Sequence, residues 1–234
     1  MRRSVAALLL FGISFGYVEA AVVVYLRAIY DPIRAHLHLQ RSPHDLFPLI
    51  TPSQLADAGP ENARRLGIEI VREAATLAML AAVALAAARN VHQWIAAFAV
   101  VFGIWDLSFY ASLKLLIHWP ESFQTWDILF LIPLPWVAPV WAPSLVALSM
   151  VVCGLISLRA GGIRGGLQHW SGVLGGALVI VIAFVWDFRN TITGGLPNPF
   201  NWPLFFAGEI LGLSAFASAA ASPKYRGSQR PPDS

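Results

Sequence analysis

The hydrophobic positions of this chain fall into long runs separated by short polar or Gly/Pro-rich breaks. An apolar run of about 20 residues is the length a helix needs to cross a bilayer. The runs predict helices over 4–28, 67–88, 92–118, 136–158, 170–190 and 202–221. Hydrocarbon offers backbone groups no water, so a spanning segment is a helix or part of a closed barrel. These runs lack the in–out alternation of barrel strands. The pattern predicts an all-α polytopic integral membrane protein with about six transmembrane helices.

The breaks carry information of their own. Residues 29–66 form a predicted extramembrane loop, punctuated by Pro32, Pro43, Pro48, Pro52 and Pro60. Its length suits a small cap with short helices. The stretch "HWPESFQTWDILFLIPLPWVAPVWAP" (118–143) holds five prolines around an apolar centre too short to span. It predicts a re-entrant or interfacial Pro/Trp-rich element. Irregular backbone at membrane depth is tolerated only against protein or a water-filled cavity. A cavity lid and a stiff interfacial loop are both open at this point. Residues 1–222 are expected to form a single transmembrane domain and 223–234 a disordered basic tail. A faint echo links "FGIWDLSFY…HWP" with "FVWDFRN…NWP", two spans that lead into Trp-Pro turns.

Charge adds an orientation. Arg2, Arg3, Arg89, Arg159, Arg164 and the tail cations Lys224, Arg226 and Arg230 fall on one side. The opposite short loops hold no Lys or Arg over 119–135, and only Arg189 near the last turn. Cytoplasmic loops concentrate Lys and Arg, so the expected location is the inner membrane with both termini cytoplasmic. Arg2 and Arg3 ahead of an apolar run resemble a secretory signal, with Val18-Glu19-Ala20 at its cut. "AVVVYL" continues the run straight through that point, which predicts an uncleaved first span.

Composition narrows the class. The 234 residues are 57% hydrophobic and 12% charged, against about a quarter charged in a soluble domain. A single cysteine, Cys153, excludes an intrachain disulfide and a cysteine metal cluster. The net charge of +3 suits an anionic bilayer surface and calls for no nucleic-acid partner. The six His lie at membrane edges or in the first loop, so no metal is assigned. No Gly-x-Ser-x-Gly turn is present, and no cofactor is read.

The candidate chemistry lies in acids inside the apolar runs. A charged side chain at mid-membrane costs at least about 2.5–3.5 kcal/mol, so such groups face the interior and find partners. Gly12, Gly16 and Glu19 share one helical stripe, and the pairs Gly172/Gly176 and Gly208/Gly212 mark further close-packed faces. Helical rise places Glu19 roughly 12 Å, Glu73 roughly 9 Å and Glu209 roughly 11 Å below the outer surface. Asp106 lies deeper, with Tyr110 and Lys114 one and two turns above it. These residues are expected to line a polar cavity open to the outer side, with Trp119, Trp126 and Asp127 at its lid or rim.

Three functions fit that expectation. The first is transport or passage of a small polar or cationic solute. The second is an intramembrane enzyme acting on a lipid or isoprenoid substrate. The third is a non-catalytic subunit or assembly factor whose charges hold helices together. The bilayer is the expected partner; a homo-oligomer or a larger membrane complex is open. Glu19→Gln separates two roles. A carrier acid predicts lost activity with the fold kept, and a clamp to Arg72 or Lys114 predicts a lost fold.

Overall fold

A computed structural model describes residues 2–36, 57, 59–193 and 198–222. The cap expected within the first loop and the basic tail lie largely or wholly outside these residues. The elements are α1 (Arg2–His36), α2 (Pro60–Ala87), α3 (Val91–Ile117), β1 (Trp126–Phe130) and β2 (Trp136–Pro139), then α4 (Trp141–Arg159), α5 (Leu167–Val185), α6 (Phe188–Ile192) and α7 (Trp202–Ala221). Six helical segments are long and apolar enough to cross a membrane: α1, α2, α3, α4, α5 with α6, and α7.

The boundaries differ from the sequence reading where local chemistry overrides hydropathy. Helix α1 runs past residue 28 and carries Pro32 inside it. Helix α2 starts at Pro60, ahead of the apolar run, because proline in a first turn lacks only an N–H that would be unpaired anyway. Asn90 caps α3 by accepting the Gln93 N–H, and Asn201 caps α7 by accepting the Leu204 N–H. The fifth span breaks at Trp186 and Asp187. There the Asp187 carboxylate accepts the Asn198 backbone N–H (2.8 Å) and side-chain amide (2.7 Å).

The chain is mostly helical, as expected, and the Pro/Trp-rich element is its one departure among the described residues. It is an antiparallel hairpin, with Trp126 opposite Pro139, Asp127 opposite Ala138 and Ile128 opposite Val137. Trp, Ile, Phe and Val favour strands. Pro133 and Pro135 lie between the strands, and Pro139 ends β2, all places where a missing N–H does least harm. The fourth helix therefore starts at Trp141 instead of residue 136.

Glycines set the packing. A Cβ on Gly16 would lie 2.6 Å from the Trp105 carbonyl oxygen, so α1 and α3 touch backbone to backbone. Gly154 of α4 meets the Ala96 carbonyl of α3 in the same way, and Gly176 of α5 meets Gly208 and Gly212 of α7. The result is one group built around α3, with α1, α2 and α4, and a separate α5–α7 pair. Strand β2 touches α4, α5 and α6 and so bridges the two groups. Their cores are distinct: Leu8, Leu80 and Val100 centre the first, and Ala138, Phe184 and Phe205 the second.

Neighbouring glycines make the packing testable. An added Cβ at Gly176 would sit 2.6 Å from both Gly208 O and Gly212 N, whereas one at Gly175 meets nothing closer than Leu211 at 3.7 Å. Gly176→Ala is expected to lower stability by about 1–3 kcal/mol. Gly175→Ala should leave it unchanged or raise it, since Ala is the better helix former. Thermal melts of the two variants in detergent check this; equal midpoints would deny the close α5–α7 contact.

Candidate functional site

Of the sequence-predicted acids, Glu73 and Asp127 line one cavity, Asp106 and Glu209 line another, and Glu19 lines neither. Glu19, buried on the glycine stripe of α1, has a donor on each oxygen. Arg72 Nη1 donates to Oε2, and the Thr76 hydroxyl donates to Oε1 at 2.8 Å. Arg72 and Thr76 are one turn apart on α2, so one face of that helix supplies both bonds. Arg72 Nε also donates to Glu69 at 2.7 Å. Glu73 points toward the hairpin, where its Oε2 accepts the Leu131 N–H at 2.8 Å. In the same region the buried Tyr110 hydroxyl donates to Asp127 Oδ2 at 2.8 Å.

Glu73 and Asp127 line a small polar pocket of about 110 Å³ at the hairpin end of the bundle, together with Arg27, Tyr30, Glu69 and Arg72 among others. The Arg27 guanidinium lies 5.2 Å from the centre of the Trp119 ring, a cation–π contact on the pocket wall. Burial pushes the Asp127 carboxyl up to about 7, against the lowering effects of the Tyr110 hydroxyl, the Ile128 N–H and Arg27. Asp127 and Trp119 both line this pocket. Trp126 does not line it: its ring packs edge-on against Phe200, 6.2 Å away, in the second core. Lys114 is exposed and lines neither cavity; its ammonium donates to the Pro120 carbonyl at 2.8 Å, beyond the end of α3.

The larger cavity is a cleft of about 440 Å³ between α3, α4, α5 and α7. It runs along α4 from Pro143 to Ser157, roughly 21 Å at helical rise. His92, His169 and Trp170 stand at the end opposite the hairpin; Phe130 and Trp136 close the hairpin end. Its walls are aliphatic and aromatic, broken by Asp106 from α3, Glu209 from α7 and Ser149 from α4. Ser149 is a hydrogen-bonding neighbour of the Glu209 carboxylate. Asp106 Oδ2 and Glu209 Oε1 are buried with no hydrogen-bond partner among the described residues. Gly103 packs on Ala147, which brings α3 and α4 together beside the cleft.

Depth alone had grouped Glu209 with Glu19 and Glu73. The structure instead joins Glu209 to Asp106 and leaves Glu19 in a satisfied ion pair. Thr76, Ser149 and the Leu131 N–H escaped the sequence reading because each gains its role only from a residue far along the chain. The aromatic wall had a signal in the density of Phe and Trp, but that density reads equally as core or lipid contact. Among the described residues no group of three or more His, Cys, Asp or Glu is placed to hold a metal ion. Comparison with known protein families, with curated proteins and with solved structures finds no match.

Proposed function

We propose that this is a multi-pass inner-membrane protein, with both termini cytoplasmic, that takes a small organic cation into the cleft on its way across the membrane. Asp106 and Glu209 balance the charge. One observation carries the reading: Asp106 and Glu209, each with a buried carboxylate oxygen that has no partner among the described residues, line a single apolar cleft whose described lining holds no Lys or Arg. An unsatisfied buried polar atom costs about 1–3 kcal/mol, more when charged. A cation with an apolar body relieves both atoms and fits the remaining wall. Phe102, Phe130, Trp136 and Phe184 add ring faces to the lining that attract such a cation. A bare Mg²⁺ or Ca²⁺ needs six or more oxygens, and the wall offers too few.

In the orientation expected from charge, the hairpin covers the outer end and the cleft reaches the cytoplasmic end. The small polar pocket then faces outward. A second reading draws on the cleft's length, which matches an acyl or prenyl chain. It is a lipid or isoprenoid substrate with its polar group at Asp106 and Glu209.

Titration calorimetry on the purified full-length protein separates the two. N-methyl-4-phenylpyridinium and the neutral, similarly shaped 4-phenylpyridine are the probes. The cation is expected to bind at least about tenfold more tightly, a difference of about 1.4 kcal/mol. Equal binding would reject the cation reading. Tighter binding of a prenyl alcohol than of the cation would move the assignment to the lipid-like substrate.

A further inference from the structure

The two cavities are separate, and one residue lies between their acids. Asp106 lines the cleft and Asp127 lines the small pocket, while Tyr110 lines neither. The Tyr110 ring is buried, and its hydroxyl already holds Asp127 at 2.8 Å. Asp106 stands one turn earlier on α3, on the same helical face. The Asp106 Oδ2 atom is buried and has no hydrogen-bond partner among the described residues.

We infer that Asp106, Tyr110 and Asp127 form a proton path connecting the cleft with the small pocket. In one hop the Asp106 carboxyl gives its proton to the Tyr110 oxygen as the Tyr110 hydroxyl gives its own to Asp127. Asp106 ends ionised, Asp127 ends protonated, and the phenol is unchanged. The reverse hop returns the proton. The charged and titratable groups around Asp127 belong to three helices. Arg27 and Tyr30 come from α1, Glu69, Arg72 and Glu73 from α2, and Asp106 with Tyr110 from α3. They make the pocket a polar port for the proton at the hairpin end. The purpose of the path, exchange of protons for an organic cation, rests on the reading of the cleft; its geometry does not.

The test is proton entry into vesicles that hold the full chain and a trapped pH dye, driven by a valinomycin-set potassium potential. Wild-type vesicles are expected to take up protons faster than protein-free ones. Tyr110→Phe keeps the ring and removes the hopping atom, and should cut the protein-dependent rate at least about tenfold. Asp127→Asn still accepts the Tyr110 hydrogen bond but carries no proton, so it should show the same loss if Tyr110→Phe fails to fold. Both variants should keep the wild-type size-exclusion profile in detergent, which a collapsed structure would not. Wild-type rates in either folded variant, or wild-type vesicles no faster than protein-free ones, would overturn the path. Failure of the cation reading would show separately, as no cation binding by the wild type, and leaves the flux comparison intact.

Discussion

Glu19→Gln is expected to strip most of the folded protein from the membrane. The amide can still accept from the Thr76 hydroxyl, but it leaves the Arg72 guanidinium without the carboxylate it holds between α1 and α2. Breaking a buried ion pair from one side costs about 3–5 kcal/mol. The lower end applies here, because Arg72 keeps Glu69 and its side chain is 28% exposed. Even about 3 kcal/mol is a large part of a stability of 5–15 kcal/mol. Glu19→Gln combined with Arg72→Gln should recover much of the yield, since no charge is then stranded. Size-exclusion profiles of fluorescent fusions and thermal melts measure both variants. A Glu19→Gln protein that melts with the wild type would remove the clamp and return Glu19 to the carrier role.

The same amide exchange at Asp106 and Glu209 should act in the opposite sense on stability. Among the described residues neither acid has a cationic partner in the cleft, and each keeps a buried oxygen without a bond. Asp106→Asn with Glu209→Gln removes two acids that the apolar wall solvates poorly. The melting midpoint should hold or rise. Binding of N-methyl-4-phenylpyridinium should weaken by about 100-fold or more, about 2.8 kcal/mol for two charge contacts. A double variant that binds as the wild type does would show that the carboxylates do not hold the ligand. One that fails to fold would show that these acids, too, are structural. The contrast with Glu19 is the diagnostic: an acid whose oxygens are filled by the protein is built into the fold, and an acid with an oxygen left over is available to a ligand.

How much of this was legible beforehand differs from residue to residue. The six helical segments follow from hydropathy because the cost of unpaired backbone in hydrocarbon acts on every residue of a run, whatever its neighbours. The glycine stripe correctly sent Glu19 inward, since side-chain period is a property of one helix. Arg72 was visible as a nearby cation, but so was Lys114, and nothing local chose between them. Lys114 proved to turn outward to the Pro120 carbonyl. The hairpin was legible only as an irregular element, because its ladder pairs residues 126–130 with 136–139 across a proline-rich turn.

The sequence by itself determined the six helical runs, the position of each acid along its helix and the faces where backbones meet. Position along a helix is rise multiplied by residue count, and both are local. Which acids share a cavity is a matter of azimuth: the direction each helix turns its acid once its glycines have locked onto a neighbour. Gly16 locks α1 onto α3, and Gly176 locks α5 onto α7. These separate contacts leave a cleft between the two groups, and Glu209 falls on its wall opposite Asp106 while Glu19 stays with α2. Only the tertiary structure decided that division, because contacts between distant segments fix the rotation of each helix and no single segment contains them.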